Sequence, residues 1–384
     1  MFLSLALGFL VSGITAVAAA SSSGCVGTIS SLDDVSSATQ CTTVNINAFT
    51  VPGGKTFELQ LLDGTTVNIF WKFELGRPPI PGDVSADTTT SSGSENLIKA
   101  VLTGEMTLLS METTIGGMAE DLFTGKLISY CGTAFLFNLA SARISISGTL
   151  NDVYVVNSPA HVFSITNPGP LTISGATVDN LQGNYPSSRS GNAAAAHNTD
   201  GFDVNSSDIL IQNCTVLNQD DCLAIKRGTN ITFADNYCEY GHGISIGSIS
   251  SNTVVSDIEI IGNHVVSSAY SFRIKTDTSA TNSVVKNVTY SDNTATNCTS
   301  FGVLITQSYP SNLGTPGNGA TISDINFNHG TTSLTANKGA YMVAVNCGSG
   351  SCTGDWDWSG LQTSGGKAGS IINNNLITGF VDTQ

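Results

Sequence analysis

Three aspartates and a histidine recur at matched places in this chain: Asp200 in Asn198-Thr199-Asp200, Asp220 beside Asp221, and His242 between Gly241 and Gly243. Short apolar runs follow them and align with one another: Phe202-Asp203-Val204, Leu223-Ala224-Ile225, Ile244-Ser245-Ile246, Phe272-Arg273-Ile274 and Val303-Leu304-Ile305. Asp200 lies four residues before Val204, Asp221 four before Ile225 and His242 four before Ile246. If each run is one rung of a stacked solenoid, these side chains form a column, each ~4.8 Å from the next. Asp220 sits beside that column, and Arg273 and Lys275 point to the face opposite Ile274. Carboxyls packed so closely cannot all ionise; repulsion pushes at least one pKa upward and leaves a protonated acid beside ionised partners. Glycosidic cleavage needs that pair of states, an acid for the leaving oxygen and a carboxylate for water. A spread of one to two rungs leaves room for the water and favours inversion. His242 is placed to support the acid, and Arg273 and Lys275 suit a substrate that itself carries carboxylates.

The elements that must position these groups are repeats. Leu171-Thr-Ile-Ser, Ile209-Leu-Ile-Gln, Ile231-Thr-Phe-Ala, Ile258-Glu-Ile-Ile, Val288-Thr-Tyr-Ser and Ile325-Asn-Phe-Asn are short alternating runs, trailed by Asn, Asp and Gly. Asn213, Asn236, Asn263 and Asn293 follow four of them at spacings of 23, 27 and 30 residues. Asn tolerates the left-handed conformation of a sharp turn, so these four are expected to stack as a corner ladder. A period of this length in β-rich sequence means a solenoid or a propeller. No propeller signature and no convincing amphipathic helix is present, which leaves an all-β parallel β-helix. Continuous repeats argue for one elongated domain over 21–384 rather than two.

Composition agrees with many corners and few solvated helix faces: 40 of 384 residues are Gly and only 11% are charged. A net charge of −15 excludes a broad basic surface for nucleic acid or anionic membrane. Residues 1–20 read as a targeting segment, apolar from Met1 to Ile14 and closing on Ala18-Ala19-Ala20, so the protein is expected to be secreted and extracellular. Nine cysteines fit that oxidising route. Cys25 is expected to pair with Cys41, Cys222 with Cys238 and Cys347 with Cys352, leaving Cys131, Cys214 and Cys298; no His cluster suggests a metal. Asn205, Asn213, Asn230, Asn287 and Asn297 open Asn-x-Ser/Thr sites. Asn213 is set aside as part of the ladder, leaving Asn205, Asn230, Asn287 and Asn297 as glycosylation candidates.

Four segments resemble, in order, the signatures of the polygalacturonases, glycoside hydrolase family 28: His197-Asn-Thr-Asp-Gly-Phe-Asp203, Asn218-Gln-Asp-Asp-Cys-Leu-Ala-Ile225, Gly241-His-Gly-Ile-Ser-Ile-Gly-Ser248 and Arg273-Ile-Lys275. Tyr309, closing Val303-Leu-Ile-Thr-Gln-Ser-Tyr309, is similar to that family's substrate-binding tyrosine. The resemblance covers roughly 21–70 and 146–366. It implies a secreted, single-stranded right-handed parallel β-helix of the pectin-lyase-like kind, hydrolysing α-1,4 bonds between galacturonates in pectin or polygalacturonate without a cofactor or metal. By position it implies Asp220 as general acid, Asp200 and Asp221 as the pair that activates water, and His242 as support for the acid. It also implies Arg273, Lys275 and Tyr309 as the grip on galacturonate.

Endo action is expected, because no long insertion between motifs would close the groove; an exo-acting or rhamnogalacturonan-directed hydrolase is the alternative. A monomer is the default for a single solenoid, and the only partner expected is the polysaccharide. A catalytically impaired pectin-binding β-helix is a further alternative, opposed by intact Asp200, Asp220 and Asp221 and favoured by the altered 71–145 interval; a purely structural solenoid conflicts with the carboxylate column. Asp203 and Asp208 are expected to cap turn amides, and His161, His264 and His329 to be surface or satisfied residues. Lys226-Arg227 departs from the small polar residues expected after the Asp-Asp segment, and either extends the substrate-binding face or is an ordinary solvated pair. Between about Trp71 and Ser145 the family's Asp-Gly-Asp-Asn-Tyr-Trp segment is missing and Met111-Glu-Thr-Thr-Ile-Gly-Gly-Met-Ala-Glu-Asp121 stands in its place. With Pro78, Pro79 and Pro81 nearby, that interval is expected to be the least regular. The tail after Gly366 lacks the family's terminal cysteine pair.

Overall fold

Alternating Ile, Val, Leu and Phe cannot bury their side chains within one isolated strand, so each run packs inward against the run of the next coil. The computed structural model describes residues 22–47, 57–62, 65–70, 100–111, 142–156, 158, 160–187, 190–372 and 374–380. The leader 1–20, Cys131 and all of 71–145 except 100–111 and 142–145 lie outside the described residues. Every strand pairing in them is parallel, including those of Ala100–Met111, a continuous strand paired to Phe57–Gln60, Thr65–Phe70 and Ala142–Asn151. One face is a ladder of eight strands: Tyr154–Val156, Thr177–Asp179, Thr215–Asn218, Tyr237–Tyr240, His264–Val266, Thr294–Cys298, Thr332–Ala336 and Leu361–Ser364. The remaining long strands form one continuous sheet that carries the other faces. This is the parallel β-helix that the repeat requires.

The core runs along the axis. Phe163 stacks on Phe202 at 5.2 Å, Tyr290 on Phe327 at 4.5 Å, and Phe327 meets Trp358 edge-on at 5.2 Å. Such pairs add ~0.5–1.5 kcal/mol each beyond the area they bury.

The corner ladder stands one residue away from where the spacing put it at its first step, among the described residues. Asn236, Asn263 and Asn293 are fully buried, and the Asn263 Nδ2 donates to Phe233 O (2.9 Å) and Asn293 Oδ1 (3.0 Å). Asn236 Oδ1 takes the Cys214 amide at 2.8 Å, so the fourth rung of this ladder is Cys214, not Asn213. Asn213 instead belongs to the neighbouring corner column with Asp235, Gly262 and Asp292, all at φ between 54° and 68°. It is exposed, which removes the reason for setting it aside as a glycan acceptor. Asn230, Asn287 and Asn297 are also exposed at φ 54–58°, and Asn205 is half-buried.

Three disulfides are formed, Cys25–Cys41, Cys222–Cys238 and Cys347–Cys352. Cys214 and Cys298 are buried free thiols.

Candidate active site

The register of the site-bearing ladder aligns Phe163, Phe202, Leu223, Ile244, Phe272, Val303 and Val343 as successive inward positions. Two residues before each of these comes one residue of a single column: His161, Asp200, Asp221, His242, Tyr270, Phe301 and Tyr341. The expected three-residue column therefore extends in both directions. One residue after each inward position comes an outward column, Ser164, Asp203, Ala224, Ser245, Arg273, Leu304 and Ala344.

Asp221 is buried and fully engaged. Its Oδ1 accepts from Arg273 Nη2 at 2.6 Å and Ser245 Oγ at 2.7 Å, and its Oδ2 from Lys275 Nζ at 2.7 Å. Arg273 Nε donates to Ser245 Oγ at 3.1 Å, and the guanidinium lies 4.0 Å over the Tyr270 ring. Arg273 and Lys275 thus hold a carboxylate of the cluster itself, both of them buried, rather than reaching into open solvent. The Lys275 ammonium also stands 5.2 Å above the Tyr309 ring, so the three cation-and-ring residues expected around a uronate are together.

Asp220 lies beside the column and is the most accessible carboxyl of the three, its side chain 15% exposed against 8% for Asp200 and 2% for Asp221. Its Oδ1 meets His242 Nδ1 at 2.9 Å and accepts the Asp221 amide at 2.8 Å. Its Oδ2 accepts the Asn198 amide at 3.2 Å. Gly241 and Gly243 permit this approach: a Cβ on Gly241 would fall 2.2 Å from Asp220 O, and one on Gly243 2.1 Å from Tyr270 O. Both sit at positive φ, where a side chain is strained in any case.

Electrostatics divide the carboxyls. Burial, then the charges of Asp220, Asp221 and Asp203, push Asp200 well above the ordinary carboxylate value. Burial also raises Asp220, but the hydrogen bond and charge of His242 outweigh it and bring that carboxyl down to about 2. The repulsion expected from the spacing is therefore present, and it falls on Asp200, while His242 lowers Asp220.

Asp203 was misread from sequence: it caps no turn amide, and its Oδ2 takes His161 Nδ1 at 2.7 Å and Lys226 Nζ at 2.8 Å. His161 is half-exposed and satisfied, as expected, but its partners are the acids of the site, since its Nε2 also faces Asp200 Oδ1 at 3.5 Å. The signal was available: His161 precedes Phe163 by two residues, as Asp200 precedes Phe202. It went unread because the apolar run around Phe163 carries no motif. Tyr270 was missed too. It stacks on Phe301 at 5.9 Å, Phe301 stacks on Tyr341 at 5.1 Å, and the edge of Tyr270 meets His242 at 5.5 Å. Its hydroxyl accepts from Asn312 Nδ2 at 3.0 Å.

Two sets of side chains could converge on a cation, His161 with Asp200 and Asp203, and Asp220 with Asp221 and His242. In both, a protein cation already holds a carboxylate, Lys226 on Asp203 and Arg273 with Lys275 on Asp221. The donor sets are thus neutralised from within and fit a divalent ion poorly.

Comparison with known proteins agrees with this geometry. The family model "Glycosyl hydrolases family 28" matches residues 41–379, running across the 71–145 interval and beyond Gly366. Endopolygalacturonase A of Aspergillus flavus is 36% identical over 352 residues, covering 90% of this chain and 89% of that protein. Polygalacturonase 2 of Penicillium olsonii is 37% identical over 344 residues, covering 88% and 84%. Among solved structures, endopolygalacturonase I from Stereum purpureum, complexed with two galacturonates, superposes with a TM-score of 0.75 at 38% identity, over 90% of this chain and 97% of that one.

Proposed function

The chain belongs to glycosyl hydrolase family 28, and from that premise we propose that it is a secreted endo-polygalacturonase cleaving the α-1,4 bonds of polygalacturonate with inversion. One observation carries the reading: a buried carboxylate, Asp221, is held by Arg273, Lys275 and Ser245 between a second carboxyl raised by burial and its neighbours and a third paired with histidine. That arrangement supplies one proton to a leaving oxygen and a carboxylate to a water, and surrounds both with cations suited to a uronate.

In the proposed reaction Asp220 protonates the glycosidic oxygen, while Asp200 and Asp221 orient the water and remove its proton. In the reactive state Asp220 carries the proton, so its carboxyl must rise and that of Asp200 must fall relative to the protein without substrate. Bound polysaccharide drives the shift. It expels the water that solvates Asp220, so the ionised form of that accessible carboxyl loses support. Arg273, Lys275 and Tyr309 hold the uronate around the scissile bond, and His242 holds Asp220 in place.

The raised carboxyl of Asp200 favours a second reading, in which Asp200 is the acid and Asp220 acts on the water. An oligogalacturonide with an activated aryl leaving group separates the two, because such a substrate needs no acid. Asp220→Asn and Asp200→Asn should each lower kcat on polygalacturonate by about 10²–10⁴-fold. On the aryl substrate the main reading expects Asp220→Asn to recover most of that loss; recovery by Asp200→Asn instead would exchange the roles. Rapid viscosity loss with few new reducing ends in the wild type would support endo action, and end-by-end release would favour the exo alternative.

The apolar leader and the three disulfides support secretion. No helix among the described residues is long and apolar enough to cross a membrane. The proposal includes no cofactor, and a monomer acting on polysaccharide alone.

A further inference from the structure

Asp203 organises a second charged arrangement at the N-terminal flank of the aspartate cluster, and the proposed reaction does not use it. Its carboxylate is buried, its side chain 4% exposed, and both cations that bind its Oδ2 come from neighbouring coils. His161 arrives from the coil before, and Lys226 from the Leu223–Ala234 strand after. The two cations are not buried with it: the His161 side chain is 38% exposed and that of Lys226 33%. A purely structural ion pair of this kind gains most when both partners leave water together.

Geometry ties both groups to one oxygen: His161 Nδ1 and Lys226 Nζ meet on Asp203 Oδ2 while each keeps an accessible face, in a chain with net charge −15. The hydrogen bond to Asp203 raises the His161 imidazole above its ordinary value. Burial opposes ionisation of Asp203, but His161 and Lys226 outweigh it and bring that carboxyl below the ordinary range.

Asp203 and Arg273 occupy the same outward column, three rungs apart through Ala224 and Ser245. At ~4.8 Å per rung their backbones stand about 14 Å apart, with the aspartate cluster between them. We propose that His161 and Lys226 form a second subsite for a uronate carboxylate, flanking the cluster on the side opposite Arg273 and Lys275. Asp203 is its positioning residue and fixes both cations without touching the ligand. A polyuronate lying along the column then meets cations on both sides of the scissile bond, so the subsite acts on sugars beyond the bond that breaks.

The inference rests on the polygalacturonate reading, and the test keeps the two separate. Wild type is assayed first on polygalacturonate; no hydrolysis there would remove the family-level reading itself. Given activity, oligogalacturonides of increasing length are compared for wild type, Lys226→Gln, His161→Gln and Lys226→Arg. The subsite predicts that KM rises about fivefold to thirtyfold for Lys226→Gln, the worth of a half-exposed charge-assisted hydrogen bond, while kcat holds. The rise should be confined to oligomers long enough to reach the flank, and Lys226→Arg should restore most of it. Asp203→Asn/Lys226→Gln removes the cation without stranding a buried charge, so a folding defect in the single variant cannot conceal the result. Methyl esterification of the flanking uronate should weaken wild type and leave Lys226→Gln unchanged. An unaltered KM at every length in folded variants, or equal sensitivity of both proteins to the ester, would overturn the subsite and leave a structural ion pair.

Discussion

Burial and the neighbouring carboxyls disfavour ionisation of Asp200, and the consequence is measurable. Its folded pKa stands above the ordinary value, so its contribution to stability is fully present below the unfolded pKa and is lost as pH rises through the folded one. Asp220 runs the other way: at about 2 against 3.8, it contributes stability above 3.8 that disappears as pH falls through about 2. Asp200→Asn should therefore gain on wild type as pH rises from roughly 4 to 8, by a few °C in Tm. Parallel melting curves for the two proteins across that range would show that Asp200 is not perturbed. At this scale the sequence was informative where types were unusual, as with the paired Asp220-Asp221 or His242 between glycines. It was silent where meaning depended on a partner from another coil. Nothing in the vicinity of Asp203 foretells that His161 and Lys226 converge on it; only the register of three strands does.

The element that repays attention at the next scale is the corner ladder. Each buried Asn satisfies a backbone amide and a carbonyl of the coil before it with its side-chain amide, which is why three can stack without cost in unpaired polar atoms. Asn263→Ala would strand the Phe233 carbonyl and the Asn236 amide, each a loss of about 1–3 kcal/mol. Chemical denaturation should register that loss, and Asn213→Gly in the exposed neighbouring column, where φ is 54°, should register little. Equal effects of the two would contradict the buried ladder. The one-residue error at Asn213 has a plain cause. Asn suits both the left-handed corner and the buried rung that follows it, so residue type alone cannot assign the register.

Across the whole molecule, a strongly acidic chain is matched to a polyanionic substrate, and the two should repel. The cations that oppose this are gathered along one ladder: His161 and Lys226 on one flank of the aspartates, Arg273 and Lys275 on the other. A few kT of local positive potential between negative surroundings would orient a polyuronate along the column rather than bind it anywhere. The parallel β-helix was legible because its period, its alternating runs and its corner residues all demand the same coil. The early coils were less so. The motif expected there is missing, yet Ala100–Met111 joins the sheet and the family match crosses the interval. The central claim is that water, activated by this cluster, attacks from the face opposite the leaving oxygen. Proton NMR of the first anomeric signal formed from polygalacturonate tests it most directly. The account predicts that new reducing ends appear as the β anomer and only later mutarotate. First appearance of the α anomer, or of unsaturated chain ends, would contradict it.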